Sequence, residues 1–122
     1  MIEPLFARID SKSEELVSFT QELVRIPTIN PPGEDYLKCA ELLGNRLAKS
    51  GFSLLYERAN NTPGDSERYP RHNVIARIEG KHSGPCVHFN GHLDVVVAGN
   101  GWTVAPFEGV VRDGKIYGRG TC

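Results

Sequence analysis

The chain has 122 residues, the length of one small domain, with 39% hydrophobic and 24% charged residues. Fourteen basic and fifteen acidic residues give a formal net charge of −1, which excludes the basic excess typical of nucleic-acid-binding and polybasic membrane-surface proteins. No apolar run approaches the roughly 20 residues of a membrane-spanning helix. These properties favour a protein that acts on small molecules.

The cysteines indicate a reducing compartment. The chain has an odd number of cysteines, namely Cys39, Cys86 and Cys122. They are widely spaced and form no C-x-x-C pair. This pattern fits neither a disulfide framework nor a cysteine zinc site. We therefore expect reduced thiols in a cytoplasmic protein.

Two amphipathic helices are predicted in the first half of the chain. Ser11 and Glu14 have the spacing of a capping box, and apolar residues at three- and four-residue steps extend a helix to Ile26. After a loop rich in proline, a second helix runs over about residues 34–50. Gly51 then occupies the position of a left-handed helix cap.

Short strands follow the helices. Residues 52–57 and 73–78 have strand-forming patterns, and the apolar run 85–90 predicts a buried strand. Residues 107–116 predict a hairpin that turns at Asp113-Gly114. This order predicts an α/β fold in which helices cover a sheet.

His92 and Asp94 come directly after the predicted buried strand. They lie two residues apart, so in extended chain their side chains point to the same side. One interpretation is a metal-binding imidazole whose tautomer is fixed by a neighbouring carboxylate. The other is a histidine at a strand end beside a solvated aspartate, and so short a pattern by itself favours this second interpretation.

The other histidines are not predicted to bind a metal. His88 precedes His92 by four residues, which in a strand separates the two by about 13 Å, too far for one zinc with ligands at about 2 Å. His88 is therefore interpreted as structural, and His72 and His82 as surface residues in or beside loops. Gly118-Arg119-Gly120 lacks the spacing of a phosphate-binding loop.

A longer pattern is more specific than these parts. Gly91 to Gly120 reads GHLDVVVAGNGWTVAPFEGVVRDGKIYGRG. It resembles the metal-dependent amidohydrolases and peptidases that include acetylornithine deacetylase, succinyl-diaminopimelate desuccinylase, aminoacylase and glutamate carboxypeptidase. Their pattern is G-H-x-D-V-V-P, then W-x-x-x-P-F, then D-G-x-x-Y-G-R-G, and Val97 is the one difference within the first part. Arg25 to Thr28 and Asn30 to Glu34 also fit this family, so the resemblance covers essentially the whole chain.

The resemblance implies a fold and a domain organisation. We expect residues 1–122 to be the N-terminal part of a zinc-aminopeptidase-like catalytic domain, an incomplete α/β unit with a mixed sheet flanked by helices. The rest of the catalytic domain and the dimerisation or lid domain are expected to be absent from this segment.

The resemblance also implies a function. His92 is expected to bind one zinc of a two-zinc site, in which cobalt could replace zinc, and Asp94 is its expected catalytic carboxylate partner. The two metals would polarise the scissile carbonyl and activate a water. The expected activity is hydrolysis of the amide bond of small N-acyl amino acids or related amides by a cytoplasmic homodimer in amino-acid metabolism, with no nucleic-acid or membrane partner. Trp102, Pro106 and Phe107 are expected to be scaffold.

The expected metal site is incomplete in this segment. A catalytic zinc needs about three protein ligands, and His92 is the one ligand that the family pattern assigns here. The next family position after Cys122 is an aspartate that bridges the metals. We therefore expect the 122-residue chain to be inactive alone. Two alternatives remain open: a truncated, non-enzymatic product that buries its apolar surface against another chain, and a peptidase of the same family.

Overall fold

The computed structural model of the chain describes residues 2–121, which form two compact units. One unit comprises residues 2–26 and 98–121, and the other comprises Pro27–Val97. In chain order the helices and strands are α1 (Glu3–Asp10), α2 (Ser13–Val24), α3 (Tyr36–Ala48), β1 (Ser53–Arg58), β2 (His72–Arg77), β3 (Val110–Arg112) and β4 (Lys115–Tyr117).

The unit Pro27–Val97 is built from α3 packed against an antiparallel strand pair. β1 and β2 pair along their whole length, from Ser53 opposite Arg77 to Arg58 opposite His72. The predicted strands at 52–57 and 73–78 are thus confirmed to within one residue. Gly51 has a φ of 87°, which is the left-handed conformation predicted for it at the end of the helix.

A parallel bridge joins two distant segments of the same unit. Ile29 lies beside Val95, and the Val95 N–H donates to the Thr28 carbonyl at 2.9 Å while the Asn30 N–H donates to the Val95 carbonyl at 2.8 Å. The hydroxyl of Thr28, a residue that is only 2% exposed, donates to the Leu93 carbonyl at 2.6 Å. These bonds hold the segment 28–30 alongside the segment 93–95.

The other unit contains α1, α2 and a two-stranded hairpin. β3 and β4 pair antiparallel and turn at Asp113 and Gly114, whose φ angles are 51° and 70°. Positive φ at both central residues is typical of a tight hairpin turn, so the predicted turn is confirmed. The Gln21 side-chain amide of α2 donates to the Gly109 carbonyl at 2.6 Å.

One predicted strand and one predicted helix cap are wrong. Residues 85–90 form no strand, and Val87 and Phe89 are 73% and 89% exposed. A strand exists only where a neighbouring strand accepts its hydrogen bonds, and no segment among residues 2–121 pairs with this one. Ser11 does not begin the first long helix, because it ends the additional helix α1 and its hydroxyl donates to the Arg8 carbonyl at 2.8 Å.

The predicted α/β class is confirmed, but the predicted single sheet flanked by helices is not observed among residues 2–121. The described residues form two antiparallel strand pairs and one isolated parallel bridge, and not one continuous mixed sheet. Cys39 is buried and Cys86 is exposed, both as free thiols, and Cys122 lies outside the described residues. Within residues 2–121, no helix has both the length and the apolar character needed to cross a membrane.

Candidate functional site

His92 and Asp94 lie together in an extended segment of the unit Pro27–Val97. The His92 Nδ1 atom is 2.7 Å from the Asp94 backbone carbonyl and 3.4 Å from the Asp94 Oδ1 atom. The His92 side chain is 83% exposed, whereas that of Asp94 is 33% exposed. The two predicted site residues are therefore in contact, with the imidazole directed to solvent and the carboxylate partly buried.

This geometry determines the tautomer of the neutral imidazole. The carbonyl and the carboxylate beside Nδ1 are both hydrogen-bond acceptors, so Nδ1 must carry the proton. The lone pair then resides on Nε2, on an exposed ring. An imidazole that donates through one nitrogen to an oxygen and offers the other nitrogen is the usual form of a metal-binding histidine. His92 thus fits the role of a zinc ligand through Nε2.

Asp94 is held by two side chains from other parts of the same unit. The Asn30 Nδ2 atom donates to Asp94 Oδ2 at 2.8 Å, and the Tyr36 hydroxyl also hydrogen-bonds the carboxylate. The Asn30 hydrogen bond is the largest of the effects that lower the pKa of Asp94, and the proximity of His92 and the Tyr36 hydroxyl act in the same direction. Asp94 is therefore ionised near neutral pH and can accept hydrogen bonds only.

Tyr36 opens α3 and is buried, with 9% of its surface exposed. Burial is the main cause that raises the pKa of Tyr36, and the negative charge of Asp94 raises it further. Arg71 opposes this increase. Tyr36 consequently stays protonated, and its O–H donates a hydrogen bond to the carboxylate.

Arg71 lies behind Asn30 and Tyr36. Its Nη1 atom donates to the Tyr36 hydroxyl at 2.6 Å, and its Nη2 atom donates to Asn30 Oδ1 at 3.0 Å. Nη2 also donates to the Pro32 carbonyl at 3.2 Å. The guanidinium carbon lies 4.9 Å from the centre of the Tyr36 ring, within the range of a cation–π contact. Arg71 therefore contacts both side chains that hold Asp94.

The part of the chain that the structure describes does not form a complete metal centre. Among residues 2–121, no group of three or more His, Cys, Asp or Glu side chains is close enough to share a metal ion. A catalytic zinc with about three protein ligands therefore requires donors in addition to these. His88 and His82 are exposed, and His72 lies at the beginning of β2.

The predicted scaffold residues belong to the unit formed by residues 2–26 and 98–121. The Trp102 indole N–H donates to the Ala98 carbonyl at 2.7 Å, and the Arg119 Nη2 atom donates to the same carbonyl at 2.7 Å. The backbone N–H of Arg119 donates to the Pro106 carbonyl at 2.6 Å. These contacts connect the Trp102, Pro106 and Arg119 parts of the motif to one another.

Comparison with known proteins finds a family match for the last part of the chain and several partial relatives. Residues 88–122 match the peptidase family M20/M25/M40. The chain is 31% identical over 98% of its length to the N-formyl-4-amino-5-aminomethyl-2-methylpyrimidine deformylase of Halalkalibacterium halodurans, covering 27% of that protein. It is 36% identical over 85% of its length to the succinyl-diaminopimelate desuccinylase of Xanthobacter autotrophicus, covering 26% of it. For the enzyme of the same name from Methylobacterium radiotolerans, the identity is 40% over 82% of this chain and 24% of that protein.

The resemblance predicted from the sequence is thereby confirmed, since residues 88–122 match the peptidase family M20/M25/M40. The chain spans about a quarter of the length of the curated relatives that it matches. No solved structure matches it significantly.

Sequence reasoning found His92 and Asp94 but missed what surrounds them. Asn30 was noted only as part of a family-like loop, and neither Tyr36 nor Arg71 was singled out. Arg71 is 41 residues from Asn30, and Asn30 is 64 residues from Asp94. No local signal in the sequence connects Arg71 to these partners, because the contacts are made by the fold.

Proposed function

We propose that residues 1–122 are the N-terminal part of the catalytic domain of a metal-dependent amidohydrolase. Its proposed reaction is hydrolysis of the amide bond of small N-acyl amino acids or related amides, as expected from the desuccinylases among its relatives. The proposed metals are two zinc ions, with cobalt as a substitute. The proposed complete enzyme is a cytoplasmic homodimer with a further dimerisation or lid domain.

The observation that carries this proposal is the arrangement of His92 against Asp94. Nδ1 faces two oxygen acceptors at 2.7 Å and 3.4 Å, so that Nε2 is left with a lone pair on an exposed ring. The neighbouring carboxylate is itself held by hydrogen bonds from Asn30 and Tyr36. This arrangement fixes the carboxylate beside the imidazole, as is typical of metal-binding histidines. This supports His92 as a metal ligand that is oriented by Asp94, through its backbone carbonyl at 2.7 Å and its carboxylate at 3.4 Å.

The metals, when bound, would supply Lewis acidity toward the amide carbonyl and an activated water. The residues of this chain have two tasks in that reaction. His92 would bind one metal through Nε2 and would keep its proton on Nδ1. The Asp94 backbone carbonyl, at 2.7 Å from Nδ1, would accept the Nδ1–H hydrogen bond, and the carboxylate at 3.4 Å would further stabilise the orientation of the ring. The remaining metal ligands and the general base are expected in other parts of the family pattern.

The test is an activity assay on the polypeptide translated from the complete gene, loaded with zinc or with cobalt. Candidate substrates are N-succinyl-diaminopimelate, N-acetylornithine, N-formyl-4-amino-5-aminomethyl-2-methylpyrimidine and a dipeptide. We expect hydrolysis of an N-acyl amino acid that a chelator abolishes. His92→Gln should remove the activity, and Asp94→Asn should lower kcat/KM by about 10- to 100-fold.

His88→Gln is the matched control, because it removes a nearby exposed imidazole that has no predicted role. An unaltered activity in His92→Gln would contradict the ligand assignment. Cleavage of the dipeptide alone would favour the peptidase alternative. Absence of hydrolysis in a correctly folded, metal-loaded protein would favour the non-enzymatic alternative. The 122-residue chain by itself should neither bind zinc tightly and stoichiometrically nor hydrolyse any of these substrates.

A further inference from the structure

The side chains behind Asp94 form a chain of hydrogen bonds with a defined direction. The Arg71 guanidinium has only donors. Its partners Tyr36 and Asn30 have side chains that can both donate and accept. Asp94, when ionised, accepts only. Tyr36 and Asn30 thus stand between a group that only donates and a group that only accepts.

This placement leaves one arrangement for the two intermediate side chains. Because Arg71 donates to the Tyr36 oxygen at 2.6 Å, the Tyr36 proton is free to point to Asp94. Because Arg71 Nη2 donates to Asn30 Oδ1 at 3.0 Å, the Asn30 amide must turn its Nδ2 toward Asp94, where it lies 2.8 Å from Oδ2. Rotation of the amide by half a turn would place N–H against N–H on one side and oxygen against oxygen on the other.

The chain also fixes the position of the guanidinium. A Cβ atom built on Gly33 would lie 2.9 Å from two guanidinium atoms of Arg71, and one built on Gly64 would overlap Nη2. Both glycines have positive φ angles, 111° and 85°. The backbone N–H of Arg71 donates to Asp65 Oδ1 at 2.9 Å. Arg71 therefore lies in a narrow slot between two glycines and is anchored at its own backbone.

We propose that Arg71 is a positioning residue that orients Asp94 by fixing the direction of the Tyr36 and Asn30 hydrogen bonds. Through Asp94, whose backbone carbonyl and carboxylate lie 2.7 Å and 3.4 Å from Nδ1, it also orients the His92 imidazole. The proposal rests on the proposed function, since it concerns the ligand assigned there. It adds a residue that contacts neither His92 nor the expected metal. Its role depends on donating to both side chains and accepting from neither.

The test compares substitutions that separate hydrogen-bond direction from packing. Arg71→Lys keeps a side chain that only donates, whereas Arg71→Gln introduces one that donates and accepts. Arg119→Gln is the matched control, because Arg119 also donates to a backbone carbonyl and lies 5.2 Å from an aromatic ring, that of Trp102. The readout is the tautomer of His92, measured by side-chain ¹⁵N NMR of the metal-free chain at a pH about two units above the ordinary pKa of histidine.

Arg71→Gln should shift the His92 tautomer populations toward those of the exposed His82 and His88, while Arg71→Lys shifts them less and Arg119→Gln leaves them as in the unaltered chain. In the metal-loaded full-length protein, Arg71→Gln should weaken zinc binding by about tenfold. Equal tautomer populations in Arg71→Gln and the unaltered chain would overturn the proposal. Equal shifts in Arg71→Lys and Arg71→Gln would also overturn it, because packing alone would then explain the effect.

If Arg71→Gln does not fold, Asn30→Asp decides the question. This variant keeps the oxygen that accepts from Arg71 but presents a second oxygen to Asp94, so the same shift of the His92 tautomer is expected, and its absence would overturn the proposal. The readout needs neither metal nor substrate. A protein without hydrolase activity in which Arg71→Gln still shifts the tautomer would contradict the proposed function and leave the orienting effect of Arg71 established.

Discussion

Arg71 and Arg119 occupy similar surroundings in the two units of the molecule. Each guanidinium lies about 5 Å from an aromatic ring, at 4.9 Å for Tyr36 and 5.2 Å for Trp102. Each donates to a backbone carbonyl, and each has a buried Nε atom without a partner among residues 2–121. They differ in the further hydrogen bonds of their partners. Arg71 donates to Tyr36 and Asn30, which in turn hydrogen-bond Asp94, whereas Arg119 and Trp102 donate to the same Ala98 carbonyl.

This difference shows that local environment does not distinguish a positioning arginine from a scaffold arginine. Arg119 belongs to the recognisable G-R-G motif, and Arg71 belongs to no motif that sequence reasoning used. The distinction depends on whether the group that accepts from the arginine can itself donate another hydrogen bond. A hydroxyl or a side-chain amide can donate, whereas a backbone carbonyl only accepts.

The largest expected effect comes from filling the slot that holds Arg71. In Gly64→Ala the new methyl group overlaps Nη2 of Arg71, at a residue with a φ of 85°. Gly51→Ala is the matched control, because Gly51 has a φ of 87° and no atom within 4 Å of the new methyl group. Strain from positive φ costs about 1–2 kcal/mol in both variants, so Gly64→Ala should lower the free energy of unfolding by more than Gly51→Ala.

Urea unfolding measures both free energies, and the His92 tautomer should change in Gly64→Ala alone. Equal losses of stability in the two variants would show that Arg71 moves aside without cost, which would contradict its fixed position.

A smaller effect is expected from acid. The Arg58 side chain, and next the Arg71 backbone N–H, lower the pKa of Asp65. A carboxyl group whose pKa is lower in the folded state stabilises the fold above its unfolded pKa, about 3.9, and this contribution is lost as the pH falls through the folded value. The free energy of unfolding should therefore decrease on acidification from about pH 5, and it should decrease less steeply in Asp65→Asn. Parallel pH profiles would contradict this assignment.

The smallest effect is expected on the Arg119 side. Trp102→Phe removes the indole N–H that donates to the Ala98 carbonyl, but Arg119 still donates to that oxygen at 2.7 Å. The carbonyl stays satisfied, so the loss of stability should be about 1 kcal/mol, as for one ordinary hydrogen bond. The His92 spectrum should remain that of the unaltered chain. A change of the His92 tautomer in Trp102→Phe would remove the contrast between the two arginines.

Local signals in the sequence predicted the local parts of the fold. The cap at Gly51 and the turn at Asp113 and Gly114 depend on backbone conformations that few residues adopt, and both are confirmed. The strand at 85–90 was predicted from apolar character alone and is wrong, because pairing depends on a partner that the run itself does not contain. Ser11 was misassigned because its hydroxyl bonds the preceding helix and not the following one.

The candidate site divides in the same way. His92 and Asp94 are two residues apart, so a motif was enough to place them together. The contact between Asn30 and Asp94 depends on the bridge of Ile29 with Val95. That bridge joins segments more than 60 residues apart, and no spacing rule predicts it. Arg71 directly precedes the first residue of β2, and it reaches the site through the fold and not through sequence proximity.

The side-chain ¹⁵N spectrum of the histidines in the unaltered, metal-free chain tests the central claim most directly. The claim is that His92 carries its proton on Nδ1, against the Asp94 carbonyl at 2.7 Å and the carboxylate at 3.4 Å, and leaves Nε2 for a metal. A His92→Gln spectrum assigns the signals. The account predicts a proton predominantly on Nδ1 for His92, in contrast to His82 and His88. A proton predominantly on Nε2 of His92 would contradict it.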